Sequence, residues 1–397
     1  MTDSNARDVA PRLDQQAAAV LPELAARAAE TERLGQLSDE NAAILLNLGI
    51  PRLFVPRRWG GVECSLPEVM HTVATLARGC MSTAWCAAVY AEHPWLLAHF
   101  DIATQEEVWS EGPDVFLSLS QAAKAQARCA PGGFELTGSW GFVSGCDRAR
   151  WFLFGAPCEA PAGSEPKRAV FLIPREDVEI DQSSWLVAGL RGTGSKTVSI
   201  KGAFVPNRRV LRIGPTVNGL VGSITSDSPA LFRQPLSVTF GPCLAAIALG
   251  GAEAALERFR EAIATRVLHL QGRVQALEPA AQMDLAEAAV RIRMARLLLD
   301  DGCELARRLG EDSAGIGPLE VAAVKLQRAQ AVRLCVEAVE RLFASSGGGA
   351  LQESSPLQRV WRDVHAVQAH AGLNWNSHAH NYGSMAVGQG TTLRQLW

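Results

Sequence analysis

Apolar residues recur every three or four positions through residues 13–34, again from Ser38-Asp39-Glu40 to Leu48, and through Pro67–Arg78 and Met81–Phe100. That period predicts four helices. Ser38 and Ser65 stand where helix caps belong, Gly49 closes the second helix, and Pro94 begins or kinks the last part of the fourth. Between them, Pro51 to Pro56 predicts a short extended stretch and Gly60-Gly61 a turn. From about Val115 to Val210 the period shortens. Val115–Leu119, Gly133–Trp140, Trp151–Ala156, Ala169–Ile173, Trp185–Leu190 and Thr197–Phe204 predict strands of an antiparallel sheet or barrel. A Gly/Ser/Pro-bearing linker (214–230) then leads to Pro242–Leu270, Pro279–Leu309, Pro318–Ser345 and Pro356–Gly388, four long helices that predict an antiparallel bundle. The expected fold class is α+β multidomain: an N-terminal helical domain (1–113), a middle antiparallel β-barrel domain (114–212) and a C-terminal four-helix bundle (213–397). Such segregation argues against a doubly wound parallel sheet.

Composition narrows the partners. The 48% hydrophobic and 20% charged content over 397 residues fits a globular chain of two or three units. A formal charge of −3 gives no electrostatic reason for a nucleic-acid or anionic-membrane partner. The longest uncharged run, Gln234 to Ala252, is broken by two prolines and reads as the entry to a buried helix. The N-terminal segment lacks an apolar signal core, and nine scattered cysteines without a CxxC pair suggest core thiols, Cys86, Cys146 and Cys303 among them. A cytoplasmic location is the expectation.

Phosphate-loop, zincin and nucleophile-elbow motifs are absent from the sequence. Two segments remain. Gly138 to Asp147 places Trp140, Phe142 and Ser144 at the end of a strand, and reads either as a turn with core aromatics or as a wall for a flat ligand. Gly189 to Lys196 carries three glycines, Thr193, Ser195 and Arg191, more than a hairpin turn requires; small residues admit a ligand to backbone N–H groups and Arg191 suits a phosphate. Gly347-Gly348-Gly349 reads better as a helix end than as a ligand contact. Four of the eight histidines, His365, His370, His378 and His380, crowd the C-terminal helix, but no spacing there matches metal ligands, so no metal is expected.

Trp-x-Phe-x-Ser-Gly-Cys-Asp (140–147), Gly-Leu-Arg-Gly-Thr-Gly-Ser-Lys (189–196), Val-Pro-x-x-Arg-Val (205–210), Pro-Leu-Gln-Arg-x-x-Arg-Asp-Val-His (356–365) and the early Pro-x-x-x-Gly-Gly (56–61) together resemble the acyl-CoA dehydrogenase-fold flavin monooxygenases, the oxygenase components of two-component systems. The resemblance implies reduced FAD (FADH2), or alternatively FMNH2, supplied by a separate NAD(P)H-dependent flavin reductase. It implies O2 as co-substrate, a C4a-hydroperoxyflavin, oxidation of an indole-like, phenolic or polycyclic aromatic substrate, and a homotetramer. Carried over by position, Ser144 lies near flavin N5, Trp140, Phe142 and Val143 line the isoalloxazine with Ser120, and Arg191, Thr193 and Ser195 lie close to the flavin or to the partner subunit's cofactor. His370 serves as a base titrating near neutrality or as a group orienting the peroxide. His93 lies beside the substrate pocket with Trp375 and Tyr382, while Arg266, Gln282, Gly347 and Gly348 reach the cofactor's pyrophosphate and adenine across a subunit boundary.

The chain departs from many relatives at Asn376, where they carry an acid, and at Val143, where they carry a polar residue. Two other activities stay open on this fold. An acyl-CoA dehydrogenase needs a glutamate near the C-terminus, where Asn381-Tyr382-Gly383-Ser384 offers no carboxylate. An N-oxygenase of an amino sugar would use the same flavin chemistry.

Overall fold

The computed structural model describes residues 13–121, 123–158, 167–212, 222–268, 272–312 and 317–390. The chain opens with six helices: α1 (Leu13–Ala19), α2 (Leu21–Leu34), α3 (Asp39–Asn47), α4 (Leu66–Gly79), α5 (Met81–Leu97) and α6 (Ile102–Trp109). Caps act where the sequence places them. Ser38 accepts from the Asn41 N–H, which satisfies one donor at the start of α3, and Ser65 forms a reciprocal box with Glu68 at the start of α4. The stretch after Gly49 is a 3₁₀ turn, Ile50–Arg52, and not extended, because Pro51 at its second position fits a helical turn with φ near −65°.

Eight strands follow: β1 (Leu117–Ser120), β2 (Ala123–Ala130), β3 (Gly133–Val143), β4 (Trp151–Cys158), β5 (Lys167–Pro174), β6 (Glu179–Asp181), β7 (Lys196–Pro206) and β8 (Val210–Arg212). They form a mixed sheet in the order β6-β7-β3-β2-β4-β5-β8, with β1 also laid along β4. The purely antiparallel expectation is corrected here. The chain reverses at the β2–β3 hairpin and again between β3 and β4, so β4 returns parallel to β1 in register Leu117 with Trp151. Trp185–Leu190 is not a strand; it is a loop whose ends are tied by side chains instead of a ladder.

Beyond the sheet come α7 (Ala230–Arg233), α8 (Leu236–Thr239), α9 (Pro242–Thr265), two short strands β9 (Val267–Leu268) and β10 (Arg273–Val274), then α10 (Pro279–Glu311), α11 (Pro318–Ala344), α12 (Pro356–Gln368) and α13 (Trp375–Ala386). Residues 214–221 of the expected linker fall outside the described residues. The fourth bundle helix is broken: His370 to Asn374 leave the helix, with a 3₁₀ turn at Ala371–Leu373 between two caps. His370 caps the turn and Asn374 caps α13, so this stretch satisfies backbone groups with side chains where a continuous helix would use its own carbonyls. The apolar run entering α9 is long enough to span a bilayer, yet 89% of its window is buried inside the protein, against α4, α5 and α11.

Two cores result. One joins α2, α4, α5 and the C-terminal helices; the other packs on the sheet with Phe134, Trp140, Phe152, Phe154, Phe171 and Val198. Helix α5 lies at their junction and all seventeen of its residues are buried. Cys86, Cys146 and Cys303 are buried thiols as expected, and burial pushes Cys146 and Cys303 up to about 12.

Candidate functional site

The end of β3 is where the sheet meets α5. Its ladder with β7 shifts register between Trp140 and Val143, which lifts Gly141 and Phe142 out of the pleat. Phe142 takes a left-handed φ of 57°, rare for a residue with a large side chain, and its ring is 70% exposed. Hydroxyls hold this kink. Ser120 Oγ donates to the Gly141 carbonyl at 2.7 Å and Ser118 Oγ to the Ser144 carbonyl at 2.8 Å. Gly145 has φ 68°, and a Cβ there would lie 2.3 Å from the Tyr90 hydroxyl, which donates to the Gly145 carbonyl at 2.7 Å. Only glycine fits.

Ser144 sits in this frame with its hydroxyl in a directed chain. Trp85 Nε1–H donates to Ser144 Oγ at 2.9 Å. Ser144 Oγ and Ser195 Oγ are 2.7 Å apart, Ser195 Oγ and Thr193 Oγ1 are 2.7 Å apart, and Thr193 Oγ1 donates to the Leu190 carbonyl at 2.8 Å. A carbonyl only accepts, so the Thr193 proton is spent on Leu190, Ser195 donates to Thr193, and Ser144 donates to Ser195. Ser144 Oγ thus accepts from Trp85 and keeps acceptor capacity for one further donor. The neighbouring Lys196, nearly buried, bridges both Asp147 oxygens at 2.8 Å and also reaches Gln36 and Gln182, which anchors the loop behind Ser195.

The loop before it is clamped from the C-terminal side. Asp363 Oδ1 accepts the Leu190 N–H at 2.6 Å, Arg362 donates to the Ala188 carbonyl, and Gly189 packs on the Arg362 backbone so closely that a Cβ would lie 2.3 Å from its oxygen. Leu190 has φ 54°, a strained conformation that this clamp supports. Burial pushes the Asp363 carboxyl up to about 7.

His370 lies edge-on to Trp85, ring centroids 5.6 Å apart, and so joins the same cluster. Its Nδ1 accepts the Gly372 N–H at 3.2 Å, which assigns the proton of the neutral ring to Nε2. The residue is exposed, with its ring set against Trp85. Crowding of the ring, followed by the Arg328 charge, lowers its pKa from the usual imidazole value. The expectation of an imidazole titrating near neutrality is therefore corrected: His370 is neutral at pH 7 and presents an N–H. His93, two turns beyond Trp85 on α5, about 12 Å along the axis, is the complement. Its Nδ1–H donates to the Leu117 carbonyl at 2.7 Å, which leaves the lone pair on Nε2, and burial lowers its pKa to about 4. Phe240 stacks beside it at 6.3 Å.

Other expected site residues lie elsewhere. Trp140 is fully buried within the sheet core, stacked on Phe154 at 4.5 Å and donating from Nε1 to the Gly155 carbonyl; Val143 is buried beside it. Neither lines a flavin face, because the pleat turns both inward. Phe142, with Trp185 edge-on at 6.1 Å and Leu186 91% exposed, forms the aromatic lip instead. Trp375, partly buried, faces Arg333 of α11, whose guanidinium lies 5.3 Å over its ring as a cation–π partner. Tyr382 is half-buried on α13. Arg266, Gln275 and Gly347 form a separate cluster: Arg266 donates to Gln275 at 3.1 Å, and Gln275 donates to the Ser345 carbonyl beside Gly347 and Gly348. Gln282, at the exposed start of α10, donates to the Ala276 carbonyl. Arg191 is exposed and its Nε donates to the Val187 carbonyl.

Trp85 and Tyr90 escaped the sequence reading, and Lys196, Asp147 and Asp363 entered it only as motif positions without a role. A signal existed for the α5 members: Trp85, Tyr90, Glu92 and His93 interrupt an otherwise apolar helix. Glu92 is sealed there against the Gly241 N–H, and its carboxyl is pushed up to about 7 by burial.

The family model for the acyl-CoA dehydrogenase C-terminal domain matches residues 242–375. The chain is 34% identical over 362 residues to the oxygenase subunit HsaA, a flavin-dependent monooxygenase of Mycobacterium tuberculosis, covering 89% of each. It is 31% identical over 370 residues to the oxygenase component of p-hydroxyphenylacetate 3-hydroxylase of Acinetobacter baumannii, covering 93% of this chain and 87% of that one. The solved structure of XiaF from a Streptomyces species, in complex with FADH2 and glycerol, superposes with a TM-score of 0.90 at 26% identity over 97% of both chains. A serine hydroxyl with an unspent acceptor position, an aromatic lip and two neutral histidines thus stand on the scaffold of known oxygenases, and the chain belongs to the flavin-dependent monooxygenases of the acyl-CoA dehydrogenase fold.

Proposed function

We propose that the protein is the oxygenase component of a two-component system that oxidises an aromatic substrate with O2 and FADH2, delivered in the cytoplasm by a separate NAD(P)H-dependent flavin reductase. FMNH2 is the alternative cofactor. The proposal includes a tetramer and three domains divided near residues 113 and 212. The reduced flavin supplies the electrons and the oxygen activation. Relatives named for hydroxylating p-hydroxyphenylacetate, and a neighbour holding FADH2, support this reading.

The carrying observation is the polarised hydroxyl chain. Because Ser144 must donate toward Ser195, it faces a bound ring as an acceptor, which suits the N5–H of a reduced flavin. Phe142 and Trp185 offer apolar surface to a flat ring and exclude water beside it. His370 presents its Nε2–H as a donor, fit to orient an oxygen atom. The Nε2 lone pair of His93 accepts a substrate O–H or N–H, and since burial keeps that ring neutral it does so without competition from protonation above about pH 5.

The test is to reduce FAD on the enzyme without oxygen, mix with oxygenated buffer and a panel of phenols and indoles, and measure oxygenated product against H2O2. Product formation with at least one aromatic is expected. In Ser144→Ala the H2O2 share should rise several-fold. Complete conversion of O2 to H2O2 with every aromatic would refute the reading.

A further inference from the structure

At the start of α5, a narrow crevice of about 20 Å³, partly open to solvent, lies where α2, α4, α9, α12 and the 189–194 loop converge. Four arginines line it: Arg78 from α4, Arg191 from the loop, Arg258 from α9 and Arg359 from α12. They face two carboxyls, Glu32 and Asp363. The charges do not cancel within the crevice. Glu32 is shared between Arg359 at 2.9 Å and Arg362 at 2.6 Å, and Asp363 is turned to the Leu190 N–H. Arg78 pairs with Glu257 at 3.1 Å, yet its Nε is sealed from solvent without a partner. Arg258 forms no ion pair among the described residues, and its Nη1 is likewise sealed and unpartnered. A buried guanidinium nitrogen left without an acceptor costs free energy unless a ligand supplies one.

The backbone adds to this. Met81 and Ser82, the first residues of α5, line the same crevice, and no side chain caps that helix start. Their N–H groups, with the positive end of a seventeen-residue helix dipole, favour the same sign of ligand as the arginines.

We propose that this crevice is a binding site for a compact oxyanion of the phosphate type, held by Arg258 and Arg78 with Arg359 and Arg191 around it and seated on the start of α5. Arg258 is the determinant, because every other arginine here already has an anionic or carbonyl partner. The site is separate from the serine cluster and adjoins it: Trp85 stands one turn along α5 from Met81, and Arg191 begins the turn that carries Thr193. Occupancy therefore ties the 189–196 loop to the helical part of the molecule, and the free oxyanion stabilises the protein by mass action.

The experiment measures the thermal midpoint and the calorimetric binding of inorganic phosphate to the full chain, against potassium chloride at matched ionic strength. A saturable rise in the midpoint is expected. In Arg258→Gln that rise should be lost whatever the variant's own midpoint, while Arg260→Gln, on the exposed side of α9, should keep it. AMP is run in parallel: competition by AMP at lower concentration than phosphate assigns the phosphate to a nucleotide, and indifference to AMP assigns it to the free ion. No saturable response to either, or an equal response in wild type and Arg258→Gln, overturns the site. Flavin is absent throughout, so the outcome is independent of the oxygenase assignment.

Discussion

The hydroxyl chain after β3 and the histidine turn after α12 flank the same tryptophan, but they are fixed by different means. Ser144 is over-determined: Trp85, Ser195, the Ser118 hydroxyl on its own carbonyl, and the buried Lys196–Asp147 pair all constrain it. His370 is held by a single weak 3.2 Å bond from Gly372 and an edge contact with Trp85, and the residue is exposed. The pairing sets a rigid acceptor against an adjustable donor. Precision is spent where a cofactor atom must be met, and tolerance is left where substrates of differing size must pass.

Breaking the rigid side should have the largest effect. Lys196→Met leaves Asp147 buried beside Gln182 without its counter-charge, and should cost about 3 kcal/mol or more in urea unfolding. A loss below about 1 kcal/mol would show that the pair is not what anchors the loop. Next in size is a pH effect that tests the burial of His93. Its folded pKa of about 4 lies below the unfolded value near 6.5, so the stability it gives is present above pH 6.5 and is lost as pH falls towards 4, by about 3 kcal/mol in all. Unfolding midpoints of wild type and His93→Asn between pH 7.5 and 4.5 measure it; parallel curves would mean the ring is not buried neutral.

Smaller effects sharpen the reading of Trp140 and Trp375. Trp140→Phe should lose about 1–2 kcal/mol, from the Gly155 bond and lost packing, with unchanged flavin affinity. A clear fall in affinity at unchanged stability would return Trp140 to the cofactor wall. Trp375→Ala removes a cation–π contact of about 0.5–1 kcal/mol and should leave KM for aromatic substrates unchanged.

How far the sequence reached can be read at these same residues. Ser38 and Ser65 as caps, and the bundle helices starting at Pro242, Pro279, Pro318 and Pro356, were legible because they depend on neighbours within one turn. Strand direction was not: β1 against β4 is a pairing across an intervening hairpin, and no local period carries it. At the site, Ser144 was legible in one segment and Thr193 with Ser195 in another, while the bond that joins them was not. The difference between Trp140 and Phe142 was not, since it depends on a register shift that sends one ring inward and the other to solvent. The titration of His370 was likewise invisible, because it depends first on how other elements crowd the ring and then on the charge of Arg328 on another helix.

The complete burial of α5 also bears on how the chain is made. Its covering comes from α4 and β1 on either side in sequence, but also from α9 and α12, which begin at Pro242 and Pro356. During vectorial synthesis this helix, with its methionine, tryptophans and leucines, emerges long before those partners and must wait with apolar faces uncovered. Expression of fragments ending before residue 242 should therefore yield aggregates, and full-length yield should respond to chaperones and to growth temperature more than surface composition suggests.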